Sequence, residues 1–126
     1  MVILDTNIII DHLRRPKKTD SYLIKLVKKL PKEPLAISII TIQELYEGQS
    51  TKNEQKERDL LAVVSPLKIL PYTYEIAQLA GEIARDLREA IEFADAAIAA
   101  TAVVNDCEFY TLNKKDFSKI KDLELV

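Results

Sequence analysis

What most constrains this chain is the recurrence of short strand-like runs separated by segments of helical periodicity. Val2-Ile3-Leu4 stops at Asp5, Leu35-Ala36-Ile37 at Ser38, Leu67 to Leu70 at Pro71 and Phe109 to Leu112 at Asn113. Leu123 to Val126 is a fifth run, expected at an edge. A brief apolar run closed by a polar residue suits a strand covered on both faces, as in a parallel sheet. Between the runs, a helix is expected from Thr6 to Arg15 and is stopped by Pro16. A second helix, capped by Thr19 or Asp20, carries Leu23, Leu26, Val27 and Leu30 on one face. Thr41 and Glu44 have capping-box spacing, which starts a short helix at Thr41 and puts Glu44 in its first turn; Gly48 ends it. A mostly exposed helix precedes Pro66.

The strongest helical pattern covers Thr73 to Ala90, with Ile76, Leu79, Ala80, Ile83, Ala84 and Leu87 on one face. Gly81 in that segment is expected to serve tight packing inside the monomer. A further helix, from about Asp95 to Asp106, is alanine-rich and apolar nearly all round, so it should be buried. Strands alternating with helices imply crossover connections. The expectation is therefore an α/β fold: one domain over residues 1–126, with a mostly parallel five-stranded sheet and helices on both faces.

Composition narrows the chemistry. At 126 residues, 48% hydrophobic and 30% charged, the chain is an ordinary globule with enough core to need no staples. One His and one Cys cannot build a usual zinc site, so a metal here would take oxygen ligands, which favours Mg²⁺, Mn²⁺ or Ca²⁺. Two glycines leave no glycine-rich phosphate loop. A net charge of −2 argues against a large basic nucleic-acid surface, yet not against a nuclease whose carboxylates hold cations. Asp5 interrupts the N-terminal apolar run too early for a signal peptide, and Phe93 to Val104 is too short to span a bilayer. A cytoplasmic protein with no membrane partner is expected, and the lone Cys107 agrees with a reducing compartment.

Four acids occupy unusual places. Asp5 ends the first strand, Glu44 follows the second, Asp95 starts the most buried helix, and Asp116 follows the fourth strand. Strand ends and helix starts share one edge of a doubly wound sheet, so the four would converge there. Taken singly, each has a plainer explanation: an acid in a first helical turn complements the helix dipole, and Asp5 is as readily an N-cap as a ligand. Taken together, they are costly without counter-charge, because two unit charges about 4 Å apart repel by roughly 4 kcal/mol at an effective dielectric near 20. A divalent cation removes that cost and can activate water against a phosphodiester.

The segments Leu4-Asp5-Thr6-Asn7, Thr41 to Gly48, Ala94 to Ala102 and Thr111 to Phe117 appear in an order and spacing that resemble the PIN domain, in particular VapC-type toxins of type II toxin–antitoxin pairs. The resemblance covers the chain from end to end. It implies a Mg²⁺- or Mn²⁺-dependent endoribonuclease that hydrolyses RNA phosphodiester bonds to a 5′-phosphate and a 3′-hydroxyl. It also implies a homodimer and inhibition by a cognate antitoxin protein. Asp5, Glu44 and Asp95 match the family's metal-binding acids, and Asp116 its more variable fourth. Thr6, Asn7, Thr111 and Asn113 match the polar residues that support the acids. One departure is Ala90-Ile91, where many relatives have Gly-Ile.

Two basic clusters are candidates for contact with RNA phosphates. Lys114 and Lys115 lie between site motifs; Arg14, Arg15, Lys17 and Lys18 cluster around the end of the first helix and are also explained as a solvated turn. His12 reads as a satisfied surface histidine, and Asp11, Glu47 and Glu92 as solvated helix positions. Tyr46 has three readings: base stacking, antitoxin contact or packing. Two other functions stay open at this level: a metal-binding module without turnover that binds RNA or protein, and an RNA-processing nuclease outside any toxin–antitoxin pair. A phosphotransfer enzyme is disfavoured, since the first strand carries no Asp-x-Asp pair.

Overall fold

The computed structural model describes all residues, 1–126. Strands β1 (Val2–Leu4), β2 (Leu35–Ser38), β3 (Lys68–Leu70) and β4 (Glu108–Tyr110) form one sheet in the order β3-β2-β1-β4. Every pairing is parallel, with Ile3 opposite Ala36 on one side and Phe109 on the other. The chain builds outward from β1 to β3 and then returns to place β4 against β1. The strand order therefore reverses between β1 and β4, and in open α/β sheets that reversal opens a ligand crevice at the carboxyl ends of the strands.

Seven helices cover the sheet: α1 (Thr6–Arg14), α2 (Tyr22–Lys29), α3 (Ile39–Glu47), α4 (Glu54–Val64), α5 (Tyr74–Asp86), α6 (Phe93–Val104) and α7 (Lys114–Phe117). Side chains alternate across β1 as strand geometry requires. Val2 and Leu4 join Ile8, Ile9, Leu26, Leu45 and Leu60 on one face. Ile3 joins Ile98, Ala102, Phe109, Phe117 and Ile120 on the other. α6 is buried from Ala96 to Ala102 because alanine lets α5 approach it closely, through Ile76 and Ala80 against Ala96 and Ala100.

Several boundaries differ from expectation. The fifth strand is a single bridge: Leu125 pairs with Phe109, and only Phe109 N–H to Glu124 O (2.8 Å) and Val126 N–H to Phe109 O (3.0 Å) are exchanged. Asp122, at φ 66°, turns the chain just before that bridge. The sheet has four strands. α3 begins at Ile39, not after Thr41, because Ser38 at the end of β2 accepts the Ile40 N–H at 3.0 Å. Glu44 thus stands in the second turn, where no dipole argument explains it. Ser21, not Thr19 or Asp20, caps α2 by accepting the Ile24 N–H. α1 ends at Arg14 because Arg15, which precedes Pro16, is extended (φ −70°, ψ 140°). Gly81 packs against nothing, since a Cβ there would meet no atom within 4 Å. Ala90 replaces the expected glycine without strain, because the only left-handed residues are Asp106 and Asp122.

Candidate active site

Asp5 leaves β1 at the reversal of strand order and is 4% exposed. Its backbone is extended, and Oδ1 accepts the Thr6 N–H at 2.8 Å, so the residue caps α1. Oδ2 accepts the Thr111 hydroxyl at 2.7 Å from just beyond β4. That hydroxyl in turn accepts the Asn113 N–H at 3.0 Å and lies 3.5 Å from the Asn7 amide nitrogen. Asn7 Oδ1 also accepts the Leu112 N–H at 3.3 Å. One network, buried at Asp5 and Thr111 and open at Leu112 and Asn113, therefore joins the ends of the two strands that flank the crevice. Burial pushes the Asp5 carboxyl upward and the Glu44 charge adds to this; the bonds from Thr111 and Thr6 pull it back.

Glu44 is half-buried and accepts the Thr6 hydroxyl at 2.6 Å. The fully buried Thr41 hydroxyl lies 3.0 Å from that of Thr6. Thr41, read from sequence as a helix cap, instead supports the side chain that holds Glu44. Thr6 bridges two acids: its backbone serves Asp5 and its hydroxyl serves Glu44.

Asp95 and Asp116 are held differently. Asp95 is the third residue of α6, half-buried, with no hydrogen bond and no ion pair to any side chain. Its carboxyl is pushed up to about 6, first by burial and then by the charges of Asp5, Glu44, Glu92 and Asp116. That set of neighbours brings all four expected acids into one field. It adds the charge of Glu92, which is exposed, as expected of a solvated helix position, and lies three residues before Asp95 at the helix start. Asp116 is exposed on α7 and accepts the Asn113 amide at 2.8 Å.

No lysine or arginine answers this charge: the five ion pairs of the molecule are Met1–Glu33, Arg15–Asp11, Lys28–Asp20, Arg85–Asp86 and Lys119–Glu89. The donor set is entirely oxygen, which suits Mg²⁺ or Mn²⁺. No three of the acids close on one point as a ready-made cage, since Glu44 rests on Thr6 and Asp116 on Asn113. Mg²⁺ does not need one, because it keeps several waters and is commonly bound through one or two carboxylates. The unpaired Asp95, facing buried Asp5, fits that mode.

The basic candidates separate. Lys114 and Lys115 are exposed on α7 beside Asn113 and Asp116. Arg14 is exposed at the far end of α1, about 13 Å along the helix from Asp5 at 1.5 Å per residue. Arg15 is paired with Asp11 at 2.9 Å and lies over the Tyr22 ring, 5.3 Å from its centroid. Asp11 is no solvated bystander: it also accepts the Tyr22 N–H at 3.0 Å and so ties α1 to α2. His12 Nδ1 is 2.7 Å from Ser21 Oγ, a satisfied histidine as expected. The Tyr46 hydroxyl donates to Glu57 at 2.8 Å, and its ring stays exposed. No helix is long and apolar enough to cross a membrane.

Comparison with known proteins agrees along the whole chain. A family model described as the PIN domain matches residues 2–123. Ribonuclease VapC10 of Mycobacterium tuberculosis is 32% identical over 127 residues, covering 98% of this chain and 91% of the relative. Ribonuclease VapC19 of the same species is also 32% identical, covering 98% of both chains. Among solved structures, VapBC2 from Rickettsia felis, bound to a DNA fragment from its promoter, superposes with a TM-score of 0.86 at 30% identity over 99% of this chain and 96% of the other. VapBC from Salmonella typhimurium, also bound to DNA, superposes with a TM-score of 0.84 at 25% identity, over 99% of this chain and 96% of that one.

Proposed function

The chain belongs to the PIN-domain family, among its VapC-type members, and from that membership we propose that it is a divalent-metal-dependent endoribonuclease acting as the toxin of a toxin–antitoxin pair. The observation that carries the reading is the convergence of Asp5, Glu44, Asp95 and Asp116 on one sheet edge with no basic partner. Such a cluster has a use only when a cation completes it.

Asp5 and Asp95 would hold the Mg²⁺ or Mn²⁺ ion, with Glu44 and Asp116 reaching in from hydroxyl and amide rests. When bound, the ion supplies Lewis acidity, lowers the pKa of water to yield a nucleophile near neutral pH, and balances charge in the phosphoryl transition state. The chain's own part is positional. Thr111 and the Thr6 N–H fix both oxygens of Asp5, so that carboxylate cannot swing. Thr6 holds Glu44 within reach of Asp5, and the Glu44 side chain can exchange its hydroxyl contact for a cation or a water. Asn113 steadies Asp116 through its amide and reaches Thr111 through its N–H, linking the outermost acid to the innermost. Lys114 and Lys115 flank Asp116 and can receive RNA phosphates; Arg14 could do so only farther along a bound strand.

The reading also includes an antitoxin partner, since the superposing Rickettsia and Salmonella structures are VapBC proteins, and a homodimer acting on cytoplasmic RNA. Its test is incubation of the purified protein with structured RNAs, with and without Mg²⁺. Cleavage that requires Mg²⁺ and disappears in Asp5→Asn is the expected outcome. Equal cleavage by wild type and Asp5→Asn would sink the mechanism. A Mg²⁺-induced melting shift with no cleavage of any RNA would leave a binding module instead.

A further inference from the structure

On the Asp116 side of the acids lies a cavity of about 670 Å³ that Asp95 and Asp116 share with the loop between α5 and α6. Leu87 and Ile91 anchor the two ends of that loop against the core cluster that includes Phe117 and Ile120. Arg88, Glu89 and Ala90 are thereby turned outward and exposed. Arg88 enters no ion pair, and Lys119, from the segment after α7, reaches across to Glu89 and ties the loop down. The lining thus holds two cations among five acids, of which Asp86 is paired with Arg85 and Glu89 with Lys119, so Arg88 is the one lining cation free of an ion pair. The smaller cavity on the Glu44 side, about 260 Å³, is lined by Glu44, Glu47, Glu92, Gln43 and Phe93 and holds no cation. Of the two hollows, only the first has a cation in its lining that could meet a phosphate.

We propose that this cavity is a subsite for the RNA phosphodiester adjoining the scissile one, held by Arg88 and, secondarily, by Lys119. The inference rests on the nuclease reading and adds a site to it. A guanidinium offers a phosphate paired N–H donors in a fixed fork. Arg88 has no carboxylate to give up first. Lys119 does, but its pair with Glu89 is exposed and therefore weak, so a phosphate can displace it. The acids themselves repel RNA, and a cation at the cavity rim offsets this where the strand enters. Arg88 is a binding and positioning residue and does not touch the reacting atoms.

Binding is measured in an Asp95→Asn background, so that RNA survives, using a short fluorescein-labelled single-stranded RNA and fluorescence anisotropy across a salt series. Arg88→Ala should weaken binding about tenfold, the scale of one charge-assisted hydrogen-bond pair. It should also reduce the slope of log affinity against log salt by about 0.7, the share of one phosphate contact on a single strand. Lys119→Ala should do the same to a smaller degree, and Lys29→Ala, an equal loss of charge on the remote α2, should change the slope little. Arg88→Lys should recover part of the affinity and the whole slope. In the wild-type background, Arg88→Ala should raise KM with kcat nearly unchanged and leave the Mg²⁺-induced melting shift intact. Affinity and slope in Arg88→Ala equal to those of Lys29→Ala would overturn the subsite, even if the wild-type protein cleaves RNA. A wild-type protein that cleaves no RNA yet loses binding through Arg88 would overturn the nuclease reading and leave the subsite standing.

Discussion

The two halves of the acid cluster are built on different terms. Asp5 stands at a strand end, 4% exposed, with both oxygens engaged by Thr6 and Thr111. Asp95, from a helix start on the opposite face of the sheet, has no partner and is pushed up to about 6. The first half is complete in the protein alone; the second is left unsatisfied. Stability should therefore respond in opposite ways on the two sides, while function is lost on both. A change at the Asp5 end breaks something already made, and a change at Asp95 relieves something not yet paired.

The largest expected effect is on activity. Asp5→Asn and Asp95→Asn should each lower RNA cleavage at least about 100-fold, as loss of a metal-binding carboxylate does. Their melting temperatures should diverge without metal. Asp95→Asn removes like-charge repulsion and should melt higher than wild type; Asp5→Asn puts an amide where the Thr111 hydroxyl donates and should melt lower. Calorimetry in EDTA reads both, and shifts of the same sign would remove the distinction between the halves.

Thr111→Val tests the rigid half from its other end. It keeps the shape but leaves Asp5 Oδ2 and the Asn113 N–H without that hydroxyl, which should cost about 1–3 kcal/mol in a urea titration. Cleavage should fall about 10–100-fold, because support of a ligand carboxylate is lost. A variant with wild-type stability and rate would show that the network around Asp5 is dispensable.

The unsatisfied half governs the response to pH. Asp95 ordinarily titrates at 3.8 and is raised to about 6, so the folded chain binds its proton more tightly than the unfolded one. Asp5 is raised in the same direction. Without metal, these groups make stability fall as pH rises from about 4 to 6, with no further loss from Asp95 above that window. Mg²⁺ needs the ionised acids, so its melting shift should grow over the same range. A shift as large at pH 4.5 as at pH 7.5 would contradict the placement of Asp95 at the metal.

The smallest effect lies away from the site. Gly81 is an exposed mid-helix glycine whose Cβ would meet open space, so Gly81→Ala should stabilise by about 1 kcal/mol. A loss of stability that depends on protein concentration would instead mark that face of α5 as a contact between copies.

The alternation of apolar runs with helical segments was enough to determine the layered α/β architecture, because a strand buried on both faces and a one-sided helix leave a chain few other ways to cover themselves. The same pattern placed Asp5 at a strand end and Asp95 at a helix start, and the serial motifs pointed to the family. Only the tertiary structure decided what supports the acids. Ser38 outcompeted Thr41 for the α3 cap because it ends β2 in extended backbone, and that freed Thr41 to back Thr6 and Glu44. Glu92 joined the field of the acids, and Arg88 came to line one cavity with Asp95 and Asp116, through a loop anchored by Leu87 and Ile91. The fifth strand dwindled to one bridge at the turn made by Asp122. Local pattern reports which face of an element is apolar. It carries no record of which hydroxyl or cation from a distant segment arrives beside a carboxylate, since that is settled by packing across the sheet edge.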